Sequence, residues 1–230
     1  MKKKTIIIAA VLVLVAVAAA VLILTKNSGS VESKPEDIKV EEIKVDASAG
    51  GISVVSLDNI SGMFVEDGSD EVMSGIFAAT FRNDSDKDLQ YAKLVLTVGK
   101  EDYTFEISTL PAGESVRAME VNRKAFASSK GDVTLTQENI AWFNESPSMY
   151  EGVFKITQRN NAIIVENISG KTVNAPIYVY YKNYADGVYI GGITYRAGTQ
   201  EALAPGKAVA LNAKHFDPDA SRLMFVTYVP

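Results

Sequence analysis

Hydrophobic residues follow two different patterns along the chain. Near the N-terminus, a run of nineteen residues from Ile6 to Leu24 contains only Ile, Val, Leu and Ala, and it follows Lys2, Lys3 and Lys4. At about 1.5 Å per residue, a helix over this run is about 28 Å long, which is close to the thickness of a bilayer's hydrocarbon core. The run therefore predicts a transmembrane helix.

A cleaved secretory signal is the alternative interpretation, because Ala18, Ala19 and Ala20 are small residues of the kind found at cleavage sites. The apolar run continues past these alanines and exceeds the usual apolar core of a signal, about 7 to 15 residues, which favours an uncleaved anchor. Three lysines precede the run and one follows it directly, so the positive-inside rule places the N-terminus in the cytoplasm. The rest of the chain is then extracellular.

Beyond Gly50 the apolar residues form short runs rich in Val, Ile, Tyr, Phe and Thr, separated by clusters of Gly, Asn, Asp and Pro. This pattern is typical of β-strands joined by turns, and no comparable helical period occurs outside the anchor. The runs predict two series of strands: Ile52 to Leu57, Gly62 to Glu66, Ser74 to Arg82, Leu89 to Val98, Tyr103 to Ile107, Ser115 to Val121 and Val133 to Phe143, then Val153 to Thr157, Ala162 to Glu166, Ile177 to Lys182, Val188 to Tyr195, Lys207 to Leu211 and Leu223 to Val229.

The two series share two motifs in the same order. The pattern [FV]-x-N-x-S-x-K-x-[LV] begins at Phe81 and again at Val165, a spacing of 84 residues. Downstream, L-x-x-G begins at Leu110 and at Leu203, a spacing of 93 residues, which indicates a longer hairpin in the second copy. Asn-x-Ser between strands is typical of a turn, because asparagine tolerates a left-handed backbone and both side chains can bond nearby amides. The two series of strands are therefore predicted to be two copies of one strand arrangement.

We therefore expect an all-β protein: two tandem immunoglobulin-like β-sandwich domains behind an N-terminal transmembrane helix. The predicted organisation is a cytoplasmic tip and anchor over residues 1–26, a polar linker or stalk over 27–48, a first β-sandwich over 49–146 and a second over 147–230. The junction from Asn144 to Ser148 has the composition of a short hinge, which Trp142 and Tyr150 could lock.

The second copy also resembles known families. Its stretch from Val165 to Val173, the pair Tyr180-Tyr181 and the stretch from Leu203 to Gly206 are similar to the FxLYD-type and CARDB-like bacterial immunoglobulin-like modules. The aromatic-Leu-Tyr-Asp signature itself is absent. The resemblance implies a surface-exposed sandwich used for adhesion, spacing or ligand contact, and it brings no catalytic residues.

Composition narrows the possible functions. The chain has no cysteine and one histidine, which excludes disulfide scaffolds, zinc fingers and multi-histidine metal sites. An exported protein without cysteine indicates a bacterial cell surface. Without the anchor and its four lysines, the chain has 19 of its 23 basic residues and all 28 acidic ones. The resulting formal charge of −9 disfavours nucleic acid as a partner.

No motif predicts an enzyme, a cofactor or a metal. His215 is the only possible imidazole base, and no G-x-S-x-G elbow, S-x-x-K pair or nucleotide-binding loop occurs. Asp84, Asp86 and Asp88 alternate as calcium ligands can, but Leu89 stands where the loop requires glycine. Paired carboxylates could hydrolyse glycosides without a local motif, yet small tandem sandwiches favour a role without catalysis.

Tyrosine supplies the candidate binding residues, because seven of the ten tyrosines lie in the second series of strands, from Val153 to Val229. Tyr178 and Tyr180 alternate onto one strand face, as do Tyr189 and Tyr195, and tyrosine combines a large rigid surface with a polar tip. We name these four as ligand-binding candidates, with packing at the edges of the sandwich as the alternative.

The sequence thus predicts a single-pass cell-membrane protein that binds, spaces or scaffolds outside the cell without catalysis. Its expected partners are the membrane and a protein or glycan ligand at the cell surface. The rival interpretation is an accessory subunit of a membrane transport or envelope complex, because the alanine-rich stretch from Ala16 to Ala20 permits close helix packing.

Overall fold

The described part of the chain is built from β-strands. The computed structural model describes residues 47–126 and 132–229, and in these ranges it contains thirteen strands and no helix, so none that is long and apolar enough to cross a bilayer. The predicted anchor and residues 27–46 of the predicted stalk lie outside the described residues. The strands are β1 (Ser48–Ala49), β2 (Ile52–Phe64), β3 (Glu71–Asn83), β4 (Leu89–Val98), β5 (Glu101–Leu110), β6 (Ser115–Met119), β7 (Val133–Trp142), β8 (Phe154–Arg159), β9 (Ala162–Asn167), β10 (Asn174–Ala185), β11 (Val188–Thr199), β12 (Ala208–Asn212) and β13 (Ser221–Val229).

The all-β prediction is confirmed, although several strands differ from their predicted bounds. The predicted strands Ile52 to Leu57 and Gly62 to Glu66 are one continuous strand, β2. Two shifts of register against β3, near Val54 and near Gly62, keep β2 paired through the polar stretch that suggested a turn. In addition, Ser48 pairs with Ser53 in the short strand β1, so the last predicted stalk residue belongs to the fold.

Two sets of six strands pair in the same way. In the first half, which we define as residues 47–143, β3 pairs with β2 and β6, while β4 pairs with β5 and β7. In the second half, residues 144–229, β9 pairs with β8 and β12, while β10 pairs with β11 and β13. The repeat seen in the sequence is therefore also a repeat of antiparallel strand pairing.

A single sheet runs through both halves. Strand β6 pairs in parallel with β11, with Val116 opposite Tyr189 and Arg117 opposite Ile190. This pairing produces a seven-stranded sheet in the order β1-β2-β3-β6-β11-β10-β13, and two three-stranded sheets, β5-β4-β7 and β12-β9-β8, complete the described fold. The segment read as a hinge is thus not the sole connection between the halves.

The repeated asparagine is a structural residue. Asn83 is buried, and its side-chain amide donates to the carbonyls of Lys87 and Leu110 at 2.8 and 3.0 Å. Its Oδ1 accepts hydrogen bonds from the backbone N–H and the hydroxyl of Ser85, at 3.1 and 2.7 Å. One asparagine therefore joins the N-x-S turn to the L-x-x-G turn.

The second copy repeats these bonds with almost the same lengths. Asn167 is buried and donates to the carbonyls of Lys171 and Leu203 at 2.8 and 2.7 Å. Its Oδ1 accepts from the backbone N–H and the hydroxyl of Ser169 at 2.9 and 2.7 Å. Both sequence motifs thus recur because each half needs the same buried bridge between two turns.

Each half has its own large cluster of buried hydrophobic residues. In the first half, the rings of Phe77 and Phe81 both pack edge-on against Phe105, at 5.5 and 5.1 Å between centroids. Tyr189 of β11 is also buried in this first cluster, so a strand of the second half contributes to it. The second cluster contains Phe154, Ile163, Val165, Val173, Ile177, Val179, Tyr181, Ala197, Leu203, Leu211, Ala213, Phe216 and Val226.

Candidate functional site

Two of the four candidate tyrosines lie side by side on a partly exposed face of β10. Tyr178 and Tyr180 are partly exposed, while the alternate residues Ile177, Val179 and Tyr181 are buried in the second cluster. This alternation follows from the period of a strand, which sends successive side chains to opposite faces. The sequence prediction that Tyr178 and Tyr180 share a face therefore matches their placement.

Three neighbours fix the ring of Tyr178. Gly198 lies opposite it in the strand pair, and a Cβ at position 198 would come within 2.2 Å of the Tyr178 ring, so the ring lies directly over this glycine. The guanidinium of Arg196 sits 4.3 Å from the ring centroid, and the Gln200 side-chain amide donates to the tyrosine hydroxyl at 2.9 Å. These contacts fix the position of the Tyr178 ring without the help of a ligand.

Tyr180 begins a row of stacked aromatic rings. It stacks on Phe225 of β13 at 4.2 Å between centroids and 9° between planes, and Phe225 meets Phe143 edge-on at 5.7 Å. Phe143 follows β7 and donates its backbone N–H to the carbonyl of Asp88 at 3.0 Å. We call Tyr178, Tyr180, Phe225 and Phe143 the aromatic strip, which includes residues of both halves.

A small cavity adjoins the Phe143 end of the aromatic strip. It has a volume of about 200 Å³ and is lined by Asp88 and Pro111 of the first half and by Pro147 and Met224 of the second, together with Thr109. The carboxylate of Asp88 accepts the backbone N–H of Ala112 at 3.0 Å. The cavity beside the aromatic strip therefore has an acidic residue, Asp88, in its lining.

The other two candidate tyrosines lie elsewhere, in packed surroundings. Tyr189 is buried in the first cluster and meets Tyr184 edge-on at 5.1 Å. Tyr195 is partly buried, stacks on Tyr181 at 5.3 Å and lies 4.8 Å from the ring of His215. Burial raises the pKa of Tyr195 to about 12. The structure does not bring these two rings together with the strip.

The most unusual buried group is a lysine that sequence reasoning missed. Lys182 of β10 has no exposed surface, and its Nζ donates to the carbonyls of Ser108, Gly192 and Ile193 at 3.0, 3.0 and 2.7 Å. Burial lowers the pKa of Lys182 to about 7, and the charge of Glu66 opposes that shift. Because Ser108 belongs to β5, this side chain ties the second half to the first.

Glu66 makes a second tie between the halves. Its carboxylate accepts the backbone N–H of Met119 at 2.9 Å, and both of its oxygens lie within 2.9 Å of the backbone nitrogen of Gly192. Burial raises the pKa of Glu66, although these backbone N–H groups and Lys182 act in the opposite direction. We call Glu66, Lys182 and the backbone around Gly192 the polar seam.

The tip of the β2–β3 hairpin adds a third tie, made of charged groups. Asp70 accepts a bond from the Nζ of Lys214 at 2.5 Å, and the Nε2 of His215 lies 3.5 Å away. Asp70 stands in the left-handed region, with φ of 58°. Lys214 lowers the pKa of Asp70 through its hydrogen bond. The single histidine thus lies beside an ion pair between the two halves.

Arg123 orders the same hairpin tip. Its guanidinium contacts Asp67 and Glu71, each at 2.6 Å. Hydrogen bonds from Ser69, followed by that from Arg123, lower the pKa of Asp67 to about 2. Within residues 47–126 and 132–229, no group of three or more His, Cys, Asp or Glu side chains is arranged to hold a metal ion.

No protein-family model matches this chain, and no curated protein matches it.

Proposed function

We propose that the protein is a single-pass membrane protein with its N-terminus in the cytoplasm and two tandem immunoglobulin-like β-sandwich domains, residues 49–146 and 147–230, outside the cell. The apolar run from Ile6 to Leu24 after three lysines supports the anchor and its orientation. The repeated six-strand pairing and the matching bonds of Asn83 and Asn167 support two copies of one sandwich, related to the FxLYD and CARDB-like modules.

The proposed role is non-catalytic binding or scaffolding of a protein or glycan at the cell surface. The aromatic strip is the observation that carries this role. Its rings are fixed by stacking, by Arg196 and by the Gln200 amide, so they lose little conformational freedom when a ligand covers them. Rigid aromatic side chains with polar tips supply much of the binding energy in protein contacts.

Affinity capture tests this role. The tagged full-length protein is crosslinked mildly in native membranes, recovered, and compared with the double variant Tyr178→Ser/Tyr180→Ser. We expect a defined set of partners to be lost from the double variant and retained by Tyr91→Ser, a partly buried tyrosine on β4 that does not belong to the strip. Equal recovery from the wild type and the double variant would show that the strip is not the contact surface.

Cysteine labelling tests the orientation, since the chain has no cysteine of its own. Single cysteines replace Lys3 and the exposed Asp186, and intact cells are treated with a maleimide that cannot cross membranes. We expect Asp186→Cys to be labelled and Lys3→Cys to be labelled only after lysis. Labelling of both cysteines, or of neither, in intact cells would contradict the proposed topology.

An accessory subunit of a membrane transport or envelope complex is the second candidate function. The alanine-rich stretch from Ala16 to Ala20 favours it, because small residues let helices approach closely in a bilayer. Co-purification in mild detergent separates the two candidates. A subunit elutes with other membrane proteins, and replacing Ala18, Ala19 and Ala20 by leucine releases it, whereas a free anchor elutes alone.

A further inference from the structure

The second half contains a groove at its N-x-S turn that is distinct from the aromatic strip. The groove has a volume of about 510 Å³, within the range of about 300 to 1,000 Å³ found for small-ligand pockets. We call it the turn groove; it is lined by Val153, Ser169, Gly170, Lys171, Thr172, Val173 and Tyr228.

The first half has a position equivalent to the turn groove, and a backbone hydrogen bond that recurs in both halves identifies it. The backbone N–H of Asp84 donates to the carbonyl of Gly51 at 2.9 Å, and that of Ile168 donates to the carbonyl of Val153, also at 2.9 Å. Because Asp84 and Ile168 are equivalent in the repeated motif, Gly51 is the counterpart of Val153.

In the first half this place is occupied by a tryptophan of the chain itself. A Cβ placed on Gly51 would lie 3.7 Å from the indole ring of Trp142 and 3.3 Å from the Cβ of Ser85, the counterpart of Ser169. Trp142 is partly buried and packs against the first cluster. The indole therefore covers the first turn beside Gly51.

Among the described residues of the second half, 144–229, no such side chain covers the turn. The ring of Tyr228 lies at the wall, where Tyr150 and Phe154 hold it edge-on at 4.9 and 5.2 Å. Large hydrophobic side chains nearby are exposed, namely Tyr150 at 41%, Ile168 at 48% and Val229 at 46%. Apolar surface beside the second turn is thus exposed, whereas Trp142 packs at the first turn.

We propose that the turn groove binds the tryptophan side chain of another protein, with a carboxylate next to the indole. The occupant is inferred from the internal copy, where an indole covers the equivalent turn, and the carboxylate is inferred from charge complementarity with Lys171 in the groove lining. A second copy of this chain does not fit, because Trp142 is its only tryptophan and is already packed, and residues 1–46 contain no aromatic residue.

A fluorinated N-acetyl-tryptophan serves as the probe, observed by fluorine NMR while the full-length protein in detergent micelles is titrated into it. We expect saturable binding, and weaker binding of the corresponding amide, because the amide cannot pair with Lys171. The variant Lys171→Met removes this preference without filling the groove. Empty micelles give the background for an aromatic ring that partitions into detergent.

The blocking variant is Gly170→Trp, whose new side chain would cover the groove from within. Gly170 lies outside the left-handed region, and a Cβ there meets nothing within 4 Å, so the change is compatible with folding. We expect binding to weaken at least about tenfold, or about 1.4 kcal/mol. The matched control is Asp86→Trp at the equivalent exposed position of the first half, where Trp142 already covers the turn; it leaves binding unchanged.

The proposal and the role of the aromatic strip can fail separately. Tyr178→Ser/Tyr180→Ser leaves binding of the probe unchanged if the turn groove is the site. The absence of binding up to the solubility of the probe, or equal weakening by Gly170→Trp and Asp86→Trp, would overturn the tryptophan site. Neither result bears on the partners captured through the strip.

Discussion

The two halves begin with equivalent hairpins of different length. Strands β2 and β3 have thirteen residues each, whereas β8 and β9 have six each, and both hairpins end at the buried asparagine of the repeated motif. The additional length of the first hairpin carries Glu66 to Gly192 and Asp70 to Lys214, across to the other half. Extension of one hairpin therefore adds contacts between two similar halves that the β6–β11 pair also joins.

Hydrophobic packing supports the long hairpin as well. Phe64, Ile76 and Met119 are buried in a small third cluster, with Ile60 and Val65 packed against it. This cluster lies beside Glu66, which both Met119 and Gly192 contact through their backbone N–H groups. The short hairpin β8–β9 ends in the exposed residues Asn160 and Asn161. The contacts of the long hairpin therefore add to the coupling made by the β6–β11 pair and by Lys182.

The largest effect is expected from closing the space at Gly192. A Cβ at this position would lie 1.9 Å from the Glu106 carbonyl oxygen and 2.9 Å from Oε2 of Glu66, so Gly192→Ala forces the halves apart. We expect the free energy of unfolding to fall by about 3 kcal/mol. Chemical denaturation measures it, with Gly170→Ala as the control, and an unchanged midpoint would show that the coupling is not made at Gly192.

The next effect concerns pH and Lys182. The pKa of Lys182 is about 7 in the folded state, whereas its ordinary value, which applies to the unfolded chain, is 10.5. Between pH 7 and pH 10.5 the unfolded chain therefore binds more protons than the folded one. The contribution of Lys182 to stability therefore rises with pH, and we expect a gain of about 2 kcal/mol from pH 7.5 to 9.5.

Comparison with Lys182→Met isolates this contribution, because the variant has no amine to titrate. Denaturation of both proteins at several pH values gives the two slopes. Glu66→Gln separates the contribution of the neighbouring carboxylate, whose pKa is raised by burial. Parallel slopes for the wild type and Lys182→Met would mean that the buried amine keeps its ordinary pKa.

A smaller effect is expected at the charged hairpin tip. Asp70→Asn removes the ion pair with Lys214, and the pKa of Asp70 lies below its ordinary value in the folded state. The pair therefore stabilises above about pH 4, the ordinary carboxyl value, and the benefit is lost as pH falls through the lowered pKa. We expect a slightly lower melting midpoint at neutral pH, with no difference in acid or at high salt. A difference that persists in high salt would point to packing instead.

The strands and the repeat could be predicted from the sequence because their signals are local. Alternation of apolar residues placed Leu89 to Val98 at its observed bounds, and the two asparagine motifs identified the turns that Asn83 and Asn167 form. The bulges could not be predicted in this way. A bulged strand such as β2 contains a polar stretch that has the same sequence pattern as a turn.

The coupling between the halves could not be predicted, because it depends on residues far apart in the chain. In the sequence, Lys182 follows two tyrosines and has the pattern of an exposed residue at the end of a strand. It is buried because the fold brings distant groups to its amine, such as the carbonyl of Ser108, which is 74 residues away. The parallel pair of β6 and β11 has no sequence signature either. Within the aromatic strip, the tyrosines on β10 were predictable, whereas Phe143 and Phe225 join them only through the fold.

The order of strands in the seven-stranded sheet also has a mechanical consequence. Strand β1 lies at one edge and β13 at the other, six strand spacings apart, or about 29 Å at about 4.8 Å each. Tension applied between the two ends of the described chain therefore pulls across the strands and opens their hydrogen bonds one after another, as in a zipper.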